Sequence, residues 1–534
     1  MSEKQSAPWE VAHPKDHLFV LITGANGGIG LAACERLIDE FLATRPLTSH
    51  LILLPTTRSA TKSRQAIRHL RLYAERVAQT CSKLRSRYLS TPPPDVASSS
   101  SSSPVLSPPP DIASPGPDAE WDWRPHAARI HVISPQVDLC DLRAVYALAG
   151  RMCTGTIGNP PGTEGPDGRL ERVVIPRIDS AIFNAAYGGW SGFSLPGALW
   201  SFVSRGFVTS VTWPDFKLAM PTSILNEQAE YNYPPKPLLG QVFTACVLGH
   251  HVLARQLLPL LSRPADSALD PGRIIWTSSL EAHDGDLIPS DMQAFNPTTP
   301  PYESAKRLTD ILILSHTLPS VKPLADAYLT SPSTINSSSI YRDDDNSSNN
   351  NNKNSKNQKA PRIYLSHPGI VASSLFPVPW FLFWAYQLAL VVARWLGSPW
   401  HVGNAYRGAS SVVWLTLRDQ EALDSLDAQR SKWGSATDPS GRSFVKRTEV
   451  DGWGWTGSLA DNQGVAAGTA DDASVEGLRD AKGKVLPNLS WGVGRKRSAM
   501  PVTQEGLSSF EELGRECWVK MEDMREELED ILGL

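Results

Sequence analysis

The feature that most constrains this chain is a junction near its start. Leu18–Thr23 (LFVLIT) is a short apolar run of the kind that forms a buried parallel strand. It runs straight into Gly24-Ala25-Asn26-Gly27-Gly28-Ile29-Gly30, and a helical pattern follows from about Leu31 to Leu42. Where the backbone turns without Cβ atoms it can approach a phosphate closely, and the helix N-terminus presents the positive end of its dipole. On the loop alone, an ordinary tight strand-to-helix turn stays open as the alternative.

The pattern then repeats. His50–Thr57 (HLILLPTT) reads as a second strand, with a basic amphipathic helix from about Thr61 to Leu84. Further strands are expected at Ala128–Ser134, Ile178–Asn184, Gly272–Ser278 and Arg362–His367. Strands alternating with helices predict an α/β fold with a doubly wound parallel sheet of Rossmann type. Length alone, 534 residues, would suggest several domains, but two stretches cannot hold a core. Tyr88–Asp118 contains PPP twice and six consecutive Ser at 98–103, and Ser331–Lys359 is rich in Ser and Asn and carries Asp343-Asp344-Asp345. Such composition buries too little apolar surface to offset ordering, so both are expected to be disordered surface insertions. Gly155–Gly168 reads as a smaller insertion of the same type. The expected organisation is a single catalytic domain over 15–450 and a C-terminal helical extension over 451–534. In that extension Ser508–Leu532 has apolar residues at helical spacing, with Ser508 and Glu511 as the expected capping pair.

Several function classes fall away. A net charge of −4 gives no electrostatic case for nucleic acid. The six Cys (34, 81, 140, 153, 246, 517) are far apart with no CxxC, so neither a metal site nor a disulfide framework is indicated. The polar N-terminus lacks an apolar core, so no secretory signal is expected. The most apolar stretch, Pro377–Gly397, is interrupted by Gln387 and Arg394 and falls short of the roughly 20 residues a spanning helix needs. It reads either as a membrane-surface helix or as a buried cover over an apolar pocket.

The end of the second strand bears on a cofactor. An acidic residue there would bind a ribose 2′-hydroxyl; this chain has Thr56-Thr57-Arg58. A guanidinium suits a 2′-phosphate, hence NADP(H), although a solvated surface Arg is the alternative. Asp138, after the third strand, could accept from an adenine amino group or cap a helix. Tyr302-Glu303-Ser304-Ala305-Lys306 places a phenol and an ammonium one helical turn apart, where the cation favours the phenolate. A hydroxyl comes first, at the end of a strand: Ser279, with Ser278 beside it. That order suits a reduction in which the hydroxyl orients a carbonyl and the Tyr donates the proton. His250 and His251 are adjacent, so on a helix they diverge; packing is expected of them rather than metal binding.

These motifs together resemble the short-chain dehydrogenase/reductases: TGANGGIG, Asn184-Ala185-Ala186, Ser279, YESAK and His367-Pro368-Gly369-Ile370-Val371-Ala372-Ser373 occur in that family's order. Gln241–Leu253, the long gap between TSS and the Tyr, HPGIVASSLF and Gly434-Ser435-Ala436-Thr437-Asp438 are similar to the fungal 3-keto-steroid reductases, over roughly residues 18–450. The resemblance implies an NADPH-dependent reductase of a 4-methyl-3-keto sterol in sterol C-4 demethylation. It implies Tyr302 as proton donor, Lys306 as ribose ligand and Ser279 as ketone orienter. Gly24, Asn26, Gly28, Ile29 and Gly30 would frame the pyrophosphate, Asn184 would lie near the adenosine ribose, and Val371 and Ser373 near the carboxamide. It implies the other enzymes of that pathway as partners, and a place on the cytoplasmic face of the endoplasmic reticulum membrane or on a lipid droplet. A reductase of another lipid ketone and a non-catalytic cofactor-binding scaffold are the competing readings. Two departures stand out: Ala186 where the family has Gly, and Cys246 where the family has an Asn that holds a relay water. A thiol is a weak donor and acceptor for that task.

Overall fold

A computed structural model of the chain describes residues 6–81, 84, 121–226, 237–330, 358–372, 383–463 and 500–533. The insertion expected at 88–118, residues 331–357 of the one expected at 331–359, and Ser373 lie outside these residues. Gln358 and Lys359, expected in the disordered insertion, instead pair as a short antiparallel strand with Arg263 and Pro264.

The apolar runs form strands β1 (His17–Ile22), β2 (His50–Pro55), β3 (Ile130–Val132) and β4 (Ser180–Phe183). After them come a small hairpin of β5 (Trp190–Phe193) and β6 (Lys217–Ala219), then β7 (Arg273–Thr277), β8 (Arg362–His367), β9 (Lys432–Thr437) and β10 (Ser443–Thr448). The main sheet runs in the order β10-β9-β8-β7-β4-β1-β2-β3 and is parallel except for the β9–β10 pair. In β1, Phe19 and Leu21 enter one core while Val20 and Ile22 enter the other. Both faces are covered, which is why the strand is apolar at every position instead of every second one. Because β1 is flanked by β2 on one side and β4 on the other, the direction of winding reverses there. A crevice opens at that point beyond the strands' carboxyl ends.

One face of the sheet is covered by α1 (Gly28–Thr44), α2 (Ala60–Thr80) and the helix Ser410–Leu417. The other face carries α3 (Leu142–Thr154) and α4, which is built from Gln241–Phe243, a π-helical turn Thr244–Leu248, and Gly249–Gln256. It also carries α5 (Pro301–Ser315) and α6 (Gln504–Leu532). Every residue of α5 is buried, because α6 lies across it. Gly514 permits the approach: a Cβ there would stand 2.5 Å from Ser315 Cβ. Trp518 Nε1 donates to Leu312 O at 3.0 Å in the same contact.

Three expectations need correction. Helix α6 begins at Gln504, and Thr503 is its cap, accepting from Gly506 N at 3.0 Å. Glu511 does not complete a capping box; it accepts from Ser320 N at 2.7 Å. The segment Gly155–Gly168 is no loose insertion. Its Asn159 and buried Asp167 accept from Ser134 N and Val132 N, and Asp167 pairs with Arg71 at 2.7 Å. It thereby covers the free edge of β3, a protection that an edge strand needs. Finally, β9, β10 and the β5–β6 hairpin are absent from the sequence reading. Their alternation is weak, since all six residues of β9 are buried although Lys, Ser and Thr are among them.

Candidate active site

The site is assembled at the carboxyl ends of β1, β4, β7 and β8. The glycine loop leaves β1 with Gly24 at φ 67° and Gly28 at φ 55°, left-handed conformations that favour glycine. A Cβ on Gly30 would stand 2.7 Å from both Asn184 Nδ2 and Gly24 O, so α1 can start this close to the sheet only with glycine there. Asn26 is exposed on the loop, and Ile29 is half-buried. Beneath the loop Thr23 Oγ1 accepts from the backbone N–H of Asn184 (2.9 Å) and Ala185 (3.0 Å). It donates to His250 Nε2 at 2.8 Å, while His250 Nδ1 donates to Cys246 O at 3.1 Å. Burial brings His250 down to about pKa 3, so the ring is neutral and can accept at Nε2. His250 is therefore a bracket between α4 and the glycine loop. Its neighbour His251 faces away, to Glu522 of α6 at 2.6 Å.

Other cofactor-side positions divide. Arg58 is exposed beyond β2 and lies within electrostatic reach of Cys140, as does Asp138. Asp138 is not the cap of α3; that task falls to Asp141, which accepts from Ala144 N at 3.1 Å. Thr57 is turned inward, its hydroxyl bonded to Ser59 O at 3.0 Å and Ser63 Oγ at 2.9 Å, so only its backbone borders the cleft. Asn184 Nδ2 is tied to Thr23 O at 3.1 Å. Val371 bridges to Gly403, and the Cβ position of Gly408 lies 2.8 Å from both Val371 Cγ2 and Ile29 Cδ1. Gly408, which no motif singled out, lets these two walls of the cleft meet. The glycine cradle, the helix N-terminus and the exposed guanidinium fit a dinucleotide carrying a 2′-phosphate.

Ser279, Tyr302 and Lys306 come together. Tyr302, near the start of α5, lies close enough to Ser279 for the serine hydroxyl to act on its phenol. Lys306 Nζ sits 5.6 Å from the centroid of the Tyr302 ring and donates to Thr277 O at 2.7 Å. Ser278 is occupied elsewhere, donating to Asp310 Oδ1 at 2.5 Å. Lys432 Nζ reaches Asp310 Oδ2 and Ser279 O, both at 2.6 Å. The buried Lys432–Asp310 pair thus holds the strand end that presents Ser279. One expectation reverses: Tyr302 is held above its ordinary range, not below it. Burial is the main cause and the charge of Glu281 the next, together outweighing the opposing influence of the Ser279 hydroxyl. Burial also lowers Lys306, against the attraction of Asp310. Cys246 lies in the π-helical turn of α4, close enough to Tyr302 and Lys306 to affect both. Its sulfur contacts the backbone N–H (3.5 Å) and C=O (3.7 Å) of Tyr187.

A doubly wound sheet with this glycine loop, and with Ser279, Tyr302 and Lys306 converging at its crevice, defines a short-chain dehydrogenase/reductase. Across 99% of this chain and 98% of the relative, it is 49% identical to the 3-keto-steroid reductase ERG27 of Gibberella zeae. It is 33% identical to the 3-keto-steroid reductase erg27 of Aspergillus fumigatus over 96% and 95% of the two chains. The chain belongs to the fungal 3-keto-steroid reductase family. No family model matches. Among solved structures, a 3-oxoacyl-[acyl-carrier protein] reductase from Brucella melitensis in complex with NAD is similar at 13% identity. That likeness covers 75% of this chain and 89% of the other, at a TM-score of 0.32.

Proposed function

We propose that this chain reduces the 3-ketone of a 4-methyl sterol to the 3β-alcohol, with NADPH as electron donor and Tyr302 as proton donor. The observation that carries it is Tyr302 set beside Ser279 and backed by Lys306, in a chain 49% identical throughout to a 3-keto-steroid reductase. NADPH, when bound, supplies the hydride. Ser279 holds the carbonyl oxygen, and Tyr302 gives its phenolic proton to that oxygen as negative charge develops there. Lys306 then faces the phenolate left behind. The glycine loop supports the pyrophosphate, and Arg58 suits a 2′-phosphate. The test is turnover of purified, detergent-solubilised protein with a 4-methyl-3-keto sterol. NADPH is expected to support turnover at least about tenfold better than NADH, since an Arg in place of an acid favours the phosphate. Oxidation of NADPH with other lipid ketones but with no 3-keto sterol would defeat the reading.

The same proposal seats the enzyme on the cytoplasmic face of the endoplasmic reticulum or a lipid droplet, beside the other enzymes of sterol C-4 demethylation. Two helices support a membrane surface. Helix Phe383–Trp395 contains no Asp or Glu and buries Leu390 and Ala393, yet Trp384 is 77% exposed and Leu388 and Trp395 also face out. A helix that is apolar on all sides is ordinarily buried or in lipid. Helix Leu195–Arg205, between β5 and β6, exposes Leu195, Leu199, Val203 and Trp200, the last at 71%. Helix Phe383–Trp395 packs on the short helix Phe207–Thr212 that follows it. No described helix is long and apolar enough to cross a membrane, which suits a surface-seated helix. Trp200→Ser combined with Trp384→Ser is expected to weaken flotation with phosphatidylcholine vesicles by about tenfold, each exposed side chain contributing on the order of a kcal/mol. Unchanged flotation of the folded double variant would count against this seat.

A further inference from the structure

Beside Tyr302 lies a buried charge cluster that the reaction as described does not use. Lys217, on β6, pairs with Glu281 and, at 2.7 Å, with Glu303 Oε1. Its ammonium stands 4.0 Å over the ring of Trp190 on β5, and Trp190 Nε1 donates to Glu303 Oε1 at 3.2 Å. The other side of this arrangement is Tyr302 itself, whose ring centroid is 4.5 Å from that of Trp190. The cluster is therefore joined to both catalytic segments: Glu303 follows Tyr302 in the chain, and Glu281 N donates to Ser279 Oγ at 3.2 Å. Two carboxyl groups share one ammonium; burial raises the pKa of Glu281 against the pull of Lys217, with Glu303 adding to the rise, and Glu303 Oε2 is buried without a hydrogen-bond partner. In a water-poor site such an imbalance acts strongly on a neighbouring phenol.

We propose that Lys217, Glu281 and Glu303 are positioning residues that clamp Trp190 against Tyr302 and, through their excess negative charge, keep the phenol in its acid form, extending ketone reduction to higher pH. Reduction consumes the proton on Tyr302 and leaves a phenolate; oxidation needs the phenolate first, to accept the proton of the alcohol while hydride leaves for the oxidised nicotinamide. Anionic neighbours raise the cost of that phenolate. The groups facing Tyr302 are Lys306 and Glu303 on α5, Ser279 and Glu281 after β7, Cys246 on α4, and Trp190 with Lys217 from the hairpin. Glu281 also senses Asp286, and Tyr386 of helix Phe383–Trp395 senses Glu281. Lys306 is the cation on the opposing side, and the cluster tempers it. The direction agrees with Tyr302, which burial first and Glu281 next hold above its ordinary range.

The proposal rests on Tyr302 being the proton donor, and its test separates the two. Glu281→Gln and Glu303→Gln keep shape and hydrogen-bonding capacity while each removes one charge. Each is expected to move the ionisation of Tyr302 toward lower pH by about one unit, the usual effect of a nearby like charge. The readout is the tyrosinate ultraviolet difference spectrum against Tyr302→Phe, taken without substrate. The alkaline limb of the reduction profile and the acid limb of the alcohol-oxidation profile should move with it, both to lower pH. Trp190→Phe, which keeps the charges, should leave the ionisation in place. Folded Gln variants with an unmoved tyrosinate transition, or one moved to higher pH, would overturn the proposal. A moved transition in a protein whose ketone reduction survives Tyr302→Phe would overturn the functional reading instead and leave the electrostatic one standing.

Discussion

Tyr302→Phe is expected to lower kcat for ketone reduction by roughly 10²–10⁴-fold, the ordinary worth of a positioned general acid. The substitution removes one oxygen from a ring held by Trp190 and Lys306, so the tilted ring contact at 4.5 Å survives and the fold should be nearly unaffected. NADPH affinity, read by quenching of the protein's tryptophan fluorescence, should change by no more than a few-fold, since the cradle at Gly24, Gly28 and Gly30 is untouched. The two readings together are the point. A collapse of kcat with intact NADPH binding assigns the proton to Tyr302. Retention of even a tenth of wild-type kcat would mean that another group supplies it.

Asp310→Ala should cost about 3–5 kcal/mol of stability, the range for removing one partner of a buried ion pair. Both members are sequestered: the side chains of Lys432 and Asp310 are 2% and 0% exposed. Without Asp310, the Lys432 ammonium loses its carboxylate in the core and keeps Ser279 O, and Ser278 loses its nearer acceptor, leaving Lys306 O at 3.4 Å. Denaturant unfolding should show this loss directly. The double variant Asp310→Ala/Lys432→Met should recover part of it, since the uncompensated charge is gone; a double variant as unstable as the sum of the singles would show that the pair is not coupled. Activity should fall by about ten- to a hundredfold in Asp310→Ala, because the strand end that aims Ser279 loses its brace.

Much of the site could be read along the chain, and the reason is locality. The glycine loop works through backbone conformation over Gly24–Gly30, and YESAK works through one turn of helix, so short windows carry both. Place in the motif singles out Ser279 over Ser278; what occupies Ser278 is distant in the chain, Asp310, one turn beyond Lys306 on α5. Residues without a local pattern escaped notice. Lys217 meets Glu303 across 86 positions and Lys432 meets Asp310 across 122, separations over which no periodicity speaks. Glu303 stood within the recognised motif, and its neighbour Tyr302 gave no hint that it would face a hairpin.

From residues alone, then, came the order of strands and helices, the reductase class, the cofactor preference implied by Arg58 and the trio Ser279, Tyr302 and Lys306. These are set by dihedral needs, hydrophobic period and helical spacing, all short-range. Tertiary packing supplied the environment of the trio. Lys306 at one turn's distance promised a phenol more acidic than usual; burial beneath Trp190 and the charge of Glu281 make it less so. Proximity in sequence can place a cation beside a hydroxyl. The dielectric around them, and the other charges that share it, depend on every segment that folds over the pair.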